Sequence, residues 1–430
     1  MRTSHFLSMS YTNQSEWVAA PAQPEWLATI QLIAALAFLL ATTFSGPLRW
    51  MLATAGMSFI AYLPVLGGLA AVLITLCWHF WFGAFGARAL LLCGVLCFAI
   101  FVGLIFIPSA QQVAFAAYLF IPVYMGLLLA PAWQRVINWR RGALILWSLV
   151  VLAVIVNPYF AYPWVGFEYS VAGVSVETGR EWWAGDVQRH SGVARASFDA
   201  AIQAAILMTI VSANTSNRFT RLLIYVATAY CIWLTNSKTV LVVLAAVVVC
   251  LEMSAPWINR LRVPFIAGLV ALGWAMPLVG VLFQPRLNAL NTSASLHSYE
   301  DRLRNMWPDA FDLWLDHGTL ITGRGLGALG AAQTYFEPQL FNAGDNLHLY
   351  LFVSLGLIAA PLIAYVCWQV ARARVGSDRQ QRIPLVLFIA ALTYGLTANG
   401  IENASIALVL GFVARTMCDE SERAKNNEYC

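Results

Sequence analysis

Residues Phe265–Phe283 read FIAGLVALGWAMPLVGVLF, nineteen residues without a charge. As a helix they rise about 28 Å, close to the ~30 Å hydrocarbon core of a bilayer. The chain then changes character at once. The 63 residues from Gln284 to Asn346 carry four arginines, two histidines and seven acids. They end in Gly344-Asp345-Asn346-Leu347-His348, just as the next apolar run, Leu347–Val370, begins. A span, a long polar excursion and a second span point to a membrane protein that does its chemistry in a loop outside the bilayer.

Composition agrees. The chain is 60% hydrophobic and 11% charged, against about 45–50% and about 25% in soluble domains. A soluble core cannot hide that much apolar surface. Apolar runs of span length recur along the chain, which predicts an all-α, polytopic helical integral membrane protein. Strands of a membrane barrel would alternate polar and apolar residues instead. About twelve transmembrane helices are expected, near Leu27–Phe44, Phe59–Phe80, Ala89–Ile107, Val113–Ala130, Ala143–Val156, Phe198–Val211, Phe219–Leu234, Thr239–Met253, Phe265–Phe283, Leu347–Val370, Ile383–Leu396 and Ser405–Thr416. The region Leu48–Phe82, broken by Pro64 and three glycines, leaves room for a re-entrant piece or one further span.

Basic residues favour the cytoplasmic side. With the N-terminus inside, sixteen of the 25 Lys and Arg residues fall on cytoplasmic segments and nine outside. The outside ones, Arg49 and Lys238 apart, sit in two long loops. Both termini are then cytoplasmic. Residues 1–430 read as a single membrane domain with a first outside loop at 157–197, a large one at 284–346 carrying short helices, and a tail at 417–430 expected to be disordered. No cleavable signal peptide is apparent. None of the eight cysteines lies in an outside loop, so no disulfide framework is expected. The net charge of +4 is the positive-inside bias and gives no reason to expect nucleic acid.

The outside arginines Arg189, Arg195, Arg302, Arg304 and Arg324 are the first candidates for chemistry. A guanidinium is always charged and grips phosphate oxygens in a bidentate fork. The competing reading pairs them with Glu181, Asp186, Glu300, Asp301 and Asp309 on a solvated surface. In the large loop, Ser298-Tyr299-Glu300-Asp301 resembles a capping box, and Leu303, Met306, Ala310, Leu313 and Trp314 follow at helical spacing. Pro308 is expected to kink or shorten that helix. Gly323-Arg324-Gly325-Leu326-Gly327 reads as a flexible turn. Asp345 and His348, three apart at a helix start, share a face and suit general-base work on a sugar hydroxyl. Asp345 or Asn346 also suits a helix cap. His190 and His317 are weaker candidates, and His79 reads as structural. Gly325–Gly330 matches the dinucleotide glycine pattern but lacks the strand–helix context that gives it meaning. No Walker lysine motif, zinc spacing or carboxylate cluster is present, so no metal and no cofactor are expected.

These residues resemble the superfamily of O-antigen ligases and Wzy-type polysaccharide polymerases of bacterial inner membranes. The resemblance rests on three features. The layout has twelve spans and a large loop before the tenth. The first loop has Arg189-His190-Ser191-Gly192 followed by Phe198-Asp199-Ala200-Ala201. The large loop has Arg302 or Arg304, Trp307, Ala310, Gly323-Arg324-Gly325, Asp345-Asn346 and Gly356-Leu357. Ligases usually carry His-Asn where this chain has Asp345-Asn346, so the likeness leans to the polymerase branch, including exopolysaccharide and O-antigen polymerases. It implies a metal-independent glycosyltransferase using a polyprenyl-pyrophosphate-linked donor. Arg302, Arg304 and Arg189, with Arg195 and Arg324 as lesser candidates, would hold pyrophosphate. Asp345 or His348 would position or deprotonate the acceptor. The implied partners are an undecaprenyl-pyrophosphate-linked oligosaccharide as donor and acceptor, the lipid bilayer and, as an open option, a chain-length regulator. The rivals are a ligase acting on lipid A core and, from another class, a glycan transporter or flippase. Transport asks for ionisable groups or broken helices at mid-membrane, which the spans largely lack.

Overall fold

The computed structural model describes residues 24–81, 87–133, 139–171, 174–184, 186–283, 294–372 and 378–428. Arg2, Arg135, Arg286 and Arg374 fall outside the described residues. Helix α1 (Glu25–Thr43) runs into a short α2 (Ser45–Thr54), and a 3-10 turn leads to α3 (Leu63–Trp81). Next come α4 (Ala87–Phe106), α5 (Ala110–Trp133) and α6 (Trp139–Val156). After the first long loop follow α7 (Ser197–Ala213), α8 (Arg218–Leu234), α9 (Lys238–Glu252) and α10 (Ala255–Phe283). The large loop holds α11 (Ala294–Asp301), α12 (Trp307–His317) and α13 (Ala331–Phe336). Helices α14 (Leu347–Leu355), α15 (Ala359–Arg372), α16 (Arg379–Gly395) and α17 (Ala404–Glu428) complete the chain.

Among the described residues, five segments are long and apolar enough to cross a membrane: Glu25–Thr43, Ser58–Trp81, Ala110–Leu128, Ala255–Phe283 and Leu347–Arg372. Shorter apolar helices, such as Ser197–Ala213, pack among them. The chain is a polytopic helical membrane protein. The uncertain region after residue 48 resolves into α2, whose 10 residues span about 15 Å and cannot cross a bilayer. It is an elbow between α1 and α3 rather than a further span.

Two helices form the centre. From Arg382 to Gly395 every residue of α16 is buried, and α7 is buried nearly all round. A helix that is apolar on every face belongs inside a bundle. Their side chains share one core with α8, α9 and α10. Helices α5 and α17 touch backbone to backbone, because a Cβ at Gly126 or Gly411 would overlap the facing carbonyl of Leu408 or Val123. Small residues are what close helix packing in a membrane requires.

Three expectations need correction. The fold is not purely helical. In the first long loop β1 (Glu168–Val171) pairs antiparallel with β2 (Val174–Glu177), and β3 (Trp182–Ala184) pairs with β4 (Val187–Arg189). Tyrosine and valines alternating with polar residues in β1 and β2, and the Trp182-Trp183 pair in β3, favour such hairpins, a short signal beside long apolar runs. The tail is helical, since α17 continues to Glu428. Ser298 is not a cap, because α11 already begins at Ala294.

Candidate functional site

The helix carrying Arg302 is distorted by its own sequence. Pro308 lacks an N–H and its ring would clash with the carbonyl four residues back, at Arg304. The chain avoids this by widening to a π turn over Arg302–Met306, in which the Trp307 N–H bonds to the Arg302 carbonyl. Such turns often mark functional positions. Leu303, Trp307, Ala310, Leu313 and Trp314 face the core. Arg302 is left to reach sideways. Its Nε and Nη2 donate to Asp345 Oδ2 at 3.1 and 2.7 Å, and its Nη1 donates to the Ser298 hydroxyl and carbonyl.

Asp345 is positioned by the next residue. Asn346 caps α14, accepting the Leu349 N–H at 2.9 Å. Its amide donates to the carbonyls of Gly273 at 3.0 Å and Leu396 at 2.9 Å. The Gly273 carbonyl is free for this because Pro277, four residues on, has no N–H to offer it. One buried side chain thus ties α14 to α10 and α16.

The first loop brings further cations. The β3–β4 pairing sets Arg189 opposite Trp182. Past it, Gly192 takes φ +57, donates to Asn157 Oδ1 and accepts from Trp164 Nε1. Burial, and after it the charge of Arg302, pushes the Arg189 guanidinium below its usual pKa. The two long loops therefore come within electrostatic reach of each other here. Lys238 is lowered by burial and then by Arg189. A second group lies alongside. Arg195 is lowered by burial, then by Arg49 and Arg180. The α2 elbow contributes Arg49, which donates to the Tyr169 hydroxyl at 3.1 Å and lies over the Tyr62 ring. The Arg180 N–H bonds to the Arg195 carbonyl at 2.7 Å, and its guanidinium lies over Trp182. Arg189 Nε and Arg195 Nε are buried and donate to no partner among the described residues.

Three carboxylates face this belt of six cations: Asp345, Asp199 and Glu402. Asp199, in the first turn of α7, accepts from Asn403 at 2.8 Å and feels Arg195, Arg180 and Arg49. Glu402 feels both groups, through Asp345 on one side and Arg180 on the other. Tyr394 is buried within reach of Asp199, Asp345 and Arg302. The belt thus gathers residues from α2, both long loops, α7, α9, α16 and the α16–α17 connection.

Several sequence candidates stand elsewhere. Arg304 points outward and pairs with Glu300 at 2.9 Å, as helix neighbours four apart do. Arg324 is 2% exposed and bonds Glu337 at 2.6 Å. Its turn is fixed rather than flexible. Helix α14 breaks at Gly356, the Leu357 N–H turns to the Leu320 carbonyl, and the released Val353 carbonyl accepts the Arg324 N–H at 2.8 Å. Gly325, at φ +91, lies on the α4 backbone where a Cβ would overlap Gly103. His348 does not meet Asp345. It is buried against Gly273, where any side chain would overlap its imidazole, and against the edge of Trp274. His190 is half-buried beside Arg189, and burial lowers its pKa. His317 ends α12 at the surface, away from the belt. Sequence reasoning did not single out Arg49, Arg180, Lys238 or Glu402. Only Arg180 carried a signal, its place in an arginine-rich loop.

Among the described residues no three His, Cys, Asp or Glu side chains gather as a cation site. A polar cavity of about 430 Å³, lined by Asn214, Glu252, Asp378, Arg379 and Arg382, opens at the opposite end of α7, α9 and α16. It shares no residue with the belt. No family model, characterised protein or solved structure matches the chain.

Proposed function

We propose that the protein is a polysaccharide polymerase of the bacterial inner membrane. It transfers a growing glycan from undecaprenyl pyrophosphate to a lipid-linked repeat unit at the periplasmic face. The observation that carries this reading is the convergence of Arg49, Arg180, Arg189, Arg195, Arg302 and Lys238 around three carboxylates. The pKa values of Arg189, Arg195 and Lys238 are lowered by burial and then by neighbouring arginines, and a polyanion relieves such repulsion. A pyrophosphate anchored in the outer leaflet has the charge and the position to do so.

In this reading the bundle crosses the membrane about twelve times with both termini cytoplasmic, which sets the belt outside. The glycosidic C1–O bond to pyrophosphate breaks as the acceptor oxygen bonds C1. Arginines aimed at the leaving oxygens stabilise the charge that develops there, a contribution of several kcal/mol in comparable sites. Arg302 is the central group, held by Asp345 and Ser298. Arg189 and Arg195 offer unpaired guanidinium nitrogens. Arg304 and Arg324 are left out of the pyrophosphate site, and Asp345 orients Arg302. The belt lies at helix ends rather than mid-span, which favours chemistry over transport.

The test is incubation of the purified protein in nanodiscs with undecaprenyl-pyrophosphate-linked oligosaccharide extracted from the source bacterium. A ladder of lengths without added acceptor is expected. Transfer only after lipid A core is supplied would make the protein a ligase.

A further inference from the structure

The glycosyl transfer proposed above needs an acceptor for one proton. When the acceptor sugar's hydroxyl oxygen bonds to C1, its hydrogen must leave. The two groups suggested by sequence are badly placed for this. Asp345 serves as the anchor of Arg302, whose Nε and Nη2 both bond its Oδ2, and His348 is packed away against Gly273.

Glu402 is built for it. It lies in the short connection between α16 and α17, between the two arginine groups. Its neighbours are pinned: Asn403 holds Asp199, and Asn399 Oδ1 accepts the Ile401 N–H at 3.1 Å. Oε1 accepts the Ala331 N–H at 2.8 Å. Oε2 makes no hydrogen bond among the described residues, and the residue as a whole is only partly buried. Gly330, at φ +85, makes the space, since a Cβ there would overlap the carboxyl. The carboxylate is therefore held by one oxygen and offers the other.

We infer that Glu402 is the general base, its Oε2 taking the proton of the attacking acceptor hydroxyl. The hydroxyl oxygen forms the new bond to C1. The C1–O bond to the carrier pyrophosphate breaks, its electron pair leaves with the pyrophosphate, and the proton stays on Glu402 until solvent removes it. This assignment rests on the polymerase reading.

The electrostatics suit a base working near neutral pH. The groups facing Glu402 are Asp345, Arg180 and Tyr350. Burial pushes its carboxyl up to about 8; the Ala331 N–H and Arg180 pull it down, and Asp345 pushes it up. Below that value the group carries a proton and cannot accept another. Turnover should therefore rise about tenfold per pH unit on the acid side and level off above pH 8.

The experiment follows ladder formation by wild type, Glu402→Gln, Glu402→Asp and Arg302→Ala from pH 5.5 to 9, with the extracted lipid-linked oligosaccharide. Glutamine keeps a carbonyl for the Ala331 N–H, so the fold should hold; an unchanged melting temperature checks this. Glu402→Gln should lose about 10²–10⁴-fold at pH 8 and lose the pH dependence. Glu402→Asp should retain part of the rate with a shifted inflection. Full turnover in Glu402→Gln with an inactive Arg302→Ala would overturn the base assignment alone. Undiminished turnover in Arg302→Ala, or no transfer by wild type, would overturn the polymerase reading and this inference with it. Should Glu402→Gln fail to fold, a wild-type profile without the rise toward pH 8 overturns the assignment.

Discussion

Arg302 and Arg304 are two residues apart, and sequence reasoning treats them alike. The π turn separates them. Arg302 reaches Asp345 and its charge is felt by Arg189, while Arg304 pairs with Glu300 at 38% exposure. Arg302→Ala should lower turnover by about 10²–10³-fold, the loss typical of removing one charge-stabilising donor. Arg304→Ala should change turnover less than threefold and stability by less than about 1 kcal/mol, as for an exposed helix pair. Steady-state rates and thermal melts of both variants decide this. His348 was attractive in sequence because three residues of helix place it on the Asp345 face. Its ring is instead claimed by the gap at Gly273, a fact about α10 that no local spacing contains.

Helix breaks at the level of elements do much of the positioning. Pro308 widens one helix and turns Arg302. Pro277 frees the Gly273 carbonyl that Asn346 takes, and Gly356 opens the break into which the Arg324 turn docks. The residues that break helices were visible in the sequence, but the partners that satisfy the released carbonyls were not. Asn346→Ala should show the consequence. It removes a cap worth about 1 kcal/mol and leaves two buried carbonyls unmatched, at about 1–3 kcal/mol each. The solubilised protein should melt several degrees lower, with α14 loosened from α10 and α16. An unchanged melting temperature would contradict the pinning role. The first-loop hairpins escaped the sequence reading because strands of three or four residues leave almost no periodic trace.

Across the whole molecule, charge is placed at both ends of the central helices. At one end the arginine belt faces α7 and the start of α14. At the other, Arg221 forms a two-pronged pair with Glu252, which also binds Tyr225 and Arg379. In the orientation proposed above, a cysteine placed at Asp186 should react with an impermeant maleimide in intact cells. One placed at Asp378 should react only after lysis, both substitutions being made in a cysteine-free background and both sites being exposed. The reverse pattern would invert the topology and remove the belt from any periplasmic substrate.

The sequence by itself determined that the chain is a membrane protein of many helices, where its two long polar loops lie, and which arginines they contain. Those properties are local: apolar length and charge are summed over neighbouring residues. Only the tertiary structure decided which cations converge. Arg49, Arg180, Arg302 and Glu402 are separated by a hundred residues or more. What brings them together is an elbow after α1, a hairpin register, a π turn and the packing of α16 and α17, each set by contacts between distant segments. Neighbouring side chains such as Arg302 and Arg304 part company for the same reason.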